Sequence, residues 1–474
     1  MTIPRTFCNT FAPVASRRDM LRASANGFGL LALGGLLAEQ AKADTPPGPL
    51  VPKLPHFAAK AKRIIFLFMH GGPSQVDTFD PKPMLDKYDG QPFPGTKPRV
   101  QFASTGNLLK SPWAFKPGGK CGTPVSDLFP HVRDRADDLC VLRSVHADNS
   151  AHGGALLQLH TGSDTFIRPS MGSWVSYGLG TENQNLPGFV TICPTYGHGG
   201  VQNWSSAFLP ADHQGTPIGS SGTKAKDAKI ADTAAITPAD LQRMQLDLLK
   251  GFNETHLKTT GPDAALQGRI NSFELAFRMQ TEGPKVMDLS KETKETLELY
   301  GIGQEPTDNF GRQCLLARRF AEAGVRFVQV AHSYKWDQHA ALRKEHAQNA
   351  LEVDKPIAGL LQDLKRRDLL KDTLVWWGGE FGRTPTGQGG DGRDHNPHAF
   401  SMWFAGGGTR AGTAYGATDE FGYYAERDKV HMHDLHATIL ALLGLDHEKL
   451  TYKHVGRDLR LTDVKGVVVK GVMA

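Results

Sequence analysis

Apolar and polar positions change period along this chain, and the changes mark its elements. Arg63 to Met69 (Arg-Ile-Ile-Phe-Leu-Phe-Met) is almost continuously apolar and bounded by turn signals, which predicts a buried parallel strand. From residue 309 the alternation is clean. Asn309 to Ala323 reads as a helix with Cys314, Leu315, Ala317 and Phe320 on its apolar side and Gly324 as its stop. Val325 to Ala331 reads as a strand, and 342–369 as a helix with Val353, Ile357, Leu360, Leu361 and Leu364 at core spacing. Thr373–Trp377 and Phe400–Ala405 are further strands, and Asp434–Leu443 is a helix ending at Gly444. The intervening stretches 80–125 and 181–236, rich in Gly, Pro, Thr and Asn, read as long loops laid over the core. Thr237-Pro238-Ala239-Asp240 resembles an N-cap with proline at the first helical position, opening a helix to about Lys250, and another helix covers 263–280. Strands alternating with helices predict a three-layer α/β/α sandwich with a mostly parallel central sheet.

The N-terminus follows a different logic. Arg17-Arg18 precede an uncharged run from Ala23 to Ala38, and Ala41-Lys42-Ala43 supplies a small-x-small cleavage pattern. A basic segment, a short apolar segment and such a site define a secretory signal, and the paired arginines mark its twin-arginine class. The apolar run is shorter than the roughly 20 residues that span a bilayer, and Gly27, Gly29, Gly34 and Gly35 make it a poor core helix. The expected organisation is a signal over 1–43, a Pro-rich linker over 44–60 and a single domain over 61–474. Its partner during export would be the twin-arginine translocase, and its location the periplasm or the extracellular space.

Removing the signal leaves 49 basic and 47 acidic side chains, a net charge of +2. Near-neutral charge with no long basic run argues against nucleic acid as a partner. Cys121, Cys140, Cys193 and Cys314 show no C-x-x-C spacing, so a zinc ribbon is excluded too. Export after folding favours reduced thiols.

In an open parallel sheet, ligands bind beyond the carboxyl ends of the strands. His70, Ser74 and Asp77 follow the first strand. His332, Trp336, Asp337 and His339 follow the second, and Glu380 and Arg383 the third. Arg393, Asp394, His395 and His398 precede the strand at 400. Mixed Asp/Glu/His sets suit Zn, Mn and similar divalent ions. Asp337-Gln338-His339 is the most specific piece, because alternate residues of an extended loop face one side. Glu380 after Gly378-Gly379 is a second ligand candidate, with a salt bridge to Arg383 or Arg393 as its plain alternative. Asp394 could orient His395. In a further cluster, Ser144 to Gly162, Asp148, Asn149 or Ser150 could cap a helix beginning near Ala151. A hydroxyl or imidazole there, Ser150 or His152, would sit at an anion-binding helix end.

These residues lie in stretches that resemble one family throughout. Met69 to Pro83, His152-Gly-Gly-Ala, Trp336-Asp-Gln-His339, Gly379 to Pro385 and Gly392 to Pro397 are similar to motifs of the uncharacterised domain family 1501. Ala405 to Gly408, Asp434 to Leu440, Leu445-Asp-His447 and Gly456 to Asp463 continue the likeness to the C-terminus. That family in turn resembles the alkaline phosphatase and sulfatase superfamily, which implies an alkaline-phosphatase-like fold and one or two metals. By order along the chain, the resemblance points to His70 or Asp77, Ser150 or His152, then Asp337, His339, Glu380 and His395. Three departures stand out: His70 where an Asp is expected, Phe381 where a His is expected, and no Cys-x-Pro-x-Arg. Only Cys314 has an arginine at that distance, Arg318, with Leu316 in place of proline. A formylglycine sulfatase is therefore not expected.

The leading expectation is a metal-dependent hydrolase of phosphate or sulfate esters. Its metal would be Zn or Mn, with Ca or Mg as alternatives, and its substrate a small-molecule or polysaccharide anionic ester. His70, Asp337, His339, Glu380 and His395 would hold the metal. Ser150 or water would attack, His152 would assist, and Arg383 or Arg393 would clamp the anion. The competing expectation is an exported binding or scaffold protein that keeps the fold without turnover.

Overall fold

The computed structural model describes residues 50–98, 104–231, 233 and 237–474. The signal expected over 1–43 lies outside the described residues, as does the first part of the linker. Residues 50–60 run along the folded core: Lys53 donates its backbone N–H to Leu179, Phe57 to Gly444 and Lys60 to Leu442. Among the described residues no helix is long and apolar enough to cross a membrane.

The chain divides into two units, one of residues 1–48 and 235–266, the other of 49–234 and 267–474. The described part of the first is mainly the helix Ala239–Thr260, ten residues longer than its apolar pattern suggested. Pro238 is its N-cap rather than its first residue. The second unit carries the sheet and every residue of the candidate site.

Its first strand, β1 (Arg63–Met69), is buried along its whole length. The side chains alternate: Ile65, Leu67 and Met69 enter one apolar cluster, and Ile64, Phe66 and Phe68 enter another on the opposite face. That is why the sequence reads as unbroken rather than alternating. The remaining strands of its sheet are β2 (Leu139–His146), β3 (Phe189–Ile192), β4 (Thr216–Ile218), β5 (Phe327–His332), β6 (Thr373–Gly378), β7 (Phe400–Ala405), β8 (Thr413–Tyr415) and β9 (Val430–His431). They run in the order β8-β2-β7-β6-β1-β5-β3-β4, with β9 also beside β2. Only β7 is antiparallel to its neighbours.

Helices Asp308–Glu322 and Leu342–Arg366 bury Phe310, Cys314, Leu315, Val353, Ile357 and Leu360 against one face. Helices His152–Thr161, Met171–Leu179 and Met432–Leu442 bury Leu156, Leu159, Trp174, Leu435 and Ile439 against the other. The result is the expected three-layer α/β/α sandwich. Several parts differ from the sequence reading: 80–125, expected as loop, holds the helix Pro83–Lys87 and the hairpin of Phe115–Gly118 with Thr123–Ser126, and the helix Met171–Leu179 was not anticipated. β3 and β4 lie inside 181–236, expected as loop; β4 is a three-residue edge strand that carries Pro217, which an edge tolerates. β2 was not anticipated, although its pattern is nearly as apolar as that of β1.

Parallel neighbours put the carboxyl ends of β5, β1 and β6 side by side. Met69 pairs with His332, and Phe68 with Gly378. His70 and Glu380 therefore leave the sheet at adjacent positions.

Candidate metal centre

Glu380 is fully buried and held from two sides. The Gly71 N–H lies 3.0 and 3.2 Å from its two carboxylate oxygens, and His152 Nδ1 lies 2.7 Å from Oε1. Burial pushes its carboxyl up, but the His152 bond and the neighbouring His70 outweigh this and bring it down to about 2. Gly71 adopts φ +117°, and a Cβ there would stand 2.7 Å from the backbone of Trp336 and Asp337. Only glycine lets the β1 turn approach the Asp337 loop this closely.

His152 is the first residue of its helix. Its N-cap is Ala151, without a side-chain cap, so the capping expected of Asp148, Asn149 or Ser150 is not made. Asn149 Oδ1 instead accepts the Ala151 N–H at 2.9 Å. With Nδ1 committed to Glu380, His152 Nε2 lies 3.2 Å from Asp337 Oδ2. Burial alone would lower its pKa; the bonds to Asp337 and Glu380 prevail and raise it to about 9.

The other oxygen of Asp337 is the centre of the site. Asp337 Oδ1 lies 3.0 Å from His339 Nε2 and 3.0 Å from His395 Nε2, and those two nitrogens are 3.0 Å apart. Each imidazole is oriented from behind. His395 Nδ1 donates to the carbonyl of Ser150 at 2.7 Å, and His339 Nδ1 meets Gln388 Oε1 at 2.5 Å. In the neutral imidazoles this tautomer leaves the lone pair on each Nε2, facing an anionic oxygen. Burial holds His395 below the usual imidazole range, whereas the bond to Asp337 raises His339. Asp337 is driven below the ordinary carboxylate range: burial opposes this, and His152, His339, His395 and Arg383 outweigh it.

The hairpin Gly382–Gln388 with Gly392–Asn396 delivers the last pieces. It pairs His395 with Arg383, with a bulge between Arg393 and His395 that re-aims the strand. Arg383 and Arg393, expected to clamp an anion, are fully buried and spend their donors inside the protein. Arg383 bonds Asp337 Oδ1 at 2.6 Å and the carbonyls of Gly71, Gly72, Trp336 and Arg393. Arg393 pairs with Asp77 at 2.7 Å and also bonds the carbonyls of Thr384 and Leu109. That ion pair, with Ser74 Oγ 2.5 Å from Asp77, removes Asp77 and Ser74 from the centre. His332 is likewise structural, bonded to Glu352 at 2.9 Å and to the Trp336 indole at 2.9 Å. His398 lies apart, against Tyr424.

The candidates thus divide. His152, Asp337 and His395 form one group able to hold an ion, His339, Asp394 and His395 another, and His70, His152 and His198 a third. His198 and the half-exposed Tyr334, whose ring centre is 4.9 Å from that of His70, were not foreseen. A signal for His198 exists: His-Gly-Gly occurs at 70–72, 152–154 and 198–200, and each copy contributes its imidazole to the third group. Phe381 fills its departure position by packing on His395, ring centres 4.3 Å apart.

A mostly parallel α/β sandwich with histidines and carboxylates gathered beyond its strand ends defines the class of this protein. The chain belongs to the family described as protein of unknown function (DUF1501), whose model matches residues 61–473. No curated protein matches it. Among solved structures it is similar to the PsFucS1 sulfatase from Pseudoalteromonas sp., with 12% identity covering 82% of this chain and 68% of that one, TM-score 0.34. It is also similar to the alkaline phosphatase of the Antarctic bacterium TAB5, with 10% identity over 81% and 98%, TM-score 0.31. Ps i-CgsB in complex with k-i-k-neocarrahexaose matches at 13% identity over 81% and 72%, TM-score 0.38.

Proposed function

We propose that this chain is an exported hydrolase of phosphate or sulfate esters that works with a divalent cation, Zn or Mn, held by Asp337, His339 and His395. The observation that carries the reading is the triangle of three acceptor atoms with 3.0 Å edges. Two ring lone pairs and a carboxylate oxygen repel at that spacing unless positive charge lies among them. A proton on one nitrogen serves two of the three, and Arg383 reaches Asp337 from outside; a metal serves all three at once. Ligand bonds of about 2.0–2.2 Å at tetrahedral angles give edges of roughly 3.3–3.6 Å, a few tenths of an ångström longer than those seen.

When bound, such an ion polarises ester oxygens and activates a water or hydroxyl near neutral pH. The protein's own groups do the rest. Gln388 and the Ser150 carbonyl orient His339 and His395, and Glu380 fixes His152 with Nε2 facing the site. Ser150 offers the hydroxyl for attack, one position before the N-cap of the His152 helix. Cys314 is buried within a helix, its thiol pushed well above the ordinary value by burial, which argues against a formylglycine route.

The test uses the full chain purified from its native host, with p-nitrophenyl phosphate and p-nitrophenyl sulfate as probes. Turnover of at least one, abolished by chelator, is expected; failure on both with the ion bound would sink the reading. Ser150→Ala removes the hydroxyl and keeps the carbonyl. Lost turnover with the ion retained assigns attack to Ser150, and preserved turnover assigns it to water. Export is checked by cell fractionation: changing Arg17 and Arg18 to Lys should leave the chain in the cytoplasm, and an unchanged distribution would contradict the twin-arginine route.

A further inference from the structure

We infer that Tyr334 is a stacking platform beside the site, selecting esters whose alcohol carries a six-membered ring close to the ester oxygen. The inference rests on the proposed function and adds the class of alcohol that such an ester would carry. Its starting point is a side chain that folding alone does not explain. Tyr334 is 51% exposed, yet its ring centre lies 4.9 Å from those of His70 and His198 and 5.9 Å from that of His152. His152 links this ring to the proposed cation position, with its own ring centre 4.5 Å from that of His395.

The backbone fixes the ring in that place. Ser333 donates its hydroxyl to the Cys193 carbonyl at 3.0 Å, and the N–H groups of Lys335 and Trp336 both reach the His70 carbonyl at 3.1 Å. Between these bonds Tyr334 adopts φ +49°, a conformation that Gly, Asn or Asp takes at lower cost. Covering the buried His70 requires apolar bulk, which Leu or Met would supply as well; it does not require a flat ring half in water. A ligand contact does account for an aromatic side chain kept in a costly conformation beside a candidate site. The loop that carries His198 also exposes Tyr196 and Val201, so more apolar surface stands within three residues of that imidazole. A tyrosine face attracts the C–H groups of a pyranose and stacks offset on an aryl ring, whereas a short open-chain alcohol covers little of it. Both kinds of ring share that chemistry, and binding separates them.

The experiment is calorimetric binding to the full chain loaded with Zn. Phenylphosphonate and benzenesulfonate carry an aryl ring, glucose 1-phosphate and glucose 6-sulfate a sugar ring, and methylphosphonate and methanesulfonate none. The natural chain should bind a ring-bearing anion about three- to tenfold more tightly than its methyl counterpart. Tyr334→Phe should keep that ratio, and Tyr334→Ala and Tyr334→Leu should bring it to about one. Leu retains the apolar cover of His70, so the ratio separates stacking from packing, and this variant decides should Tyr334→Ala fail to fold. A preference for the aryl anions assigns an aryl ester, and a preference for the glucose esters assigns a saccharide ester. Anion binding without ring preference, or a preference that survives Tyr334→Leu, would overturn this inference alone. No binding of any of these anions would overturn the proposed function as well.

Discussion

His152 shows how much a single residue can report. Two carboxylates hold its imidazole charged, with a pKa raised to about 9 from an ordinary 6.5. A group whose folded pKa is raised contributes stability that is full below its unfolded pKa and is lost as pH rises through the folded one. Chelator-treated protein should therefore lose stability between about pH 6.5 and 9, read as the urea midpoint against pH, and His152→Gln should flatten that decline. A wild-type midpoint constant across the window would contradict the pairing. Bound metal competes with the same proton, so loading should release protons and shrink the decline. At this scale the sequence was readable where chemistry repeats: Asp337 and His339, two positions apart, do converge, and His395 joins them. It was not readable for Arg383 and Arg393. Guanidinium groups near a site suggest an anion clamp, and only coordinates reveal that backbone carbonyls and Asp77 already occupy their donors.

Among elements, the turn after β1 decides the geometry. Gly71 carries the N–H that holds Glu380, and its missing Cβ is what admits the Asp337 loop. Gly71→Ala meets both a left-handed φ and a backbone clash, so a loss of about 1–3 kcal/mol is expected, measured by urea denaturation, together with weakened Zn retention. An unchanged midpoint and full Zn content would show that the turn has room to adjust. β1, β5 and β6 were legible because burial on both faces leaves a nearly unbroken apolar run. β3 and β4 were not: they are four and three residues long, set among Gly and Pro, and gain their strand character only from the neighbours they pair with. His198, in the loop after β3, carries the repeated His-Gly-Gly as its local sign, but that repeat does not tell that the loop returns to β1.

For the molecule as a whole, the parallel sheet gathers side chains from distant parts of the sequence at one edge, from His70 to His395. Family membership extends over the same span, residues 61–473, while residues 1–43, which the sequence reading expects to be an export signal, lie outside it. The central claim is that the triangle of Asp337, His339 and His395 exists to hold a cation. Elemental analysis of the chain purified from its native host tests it most directly. The expected result is at least about one Zn or Mn per chain, lost in Asp337→Ala and in His395→Ala. Metal-free protein whose unfolding midpoint is the same with and without chelator would contradict it.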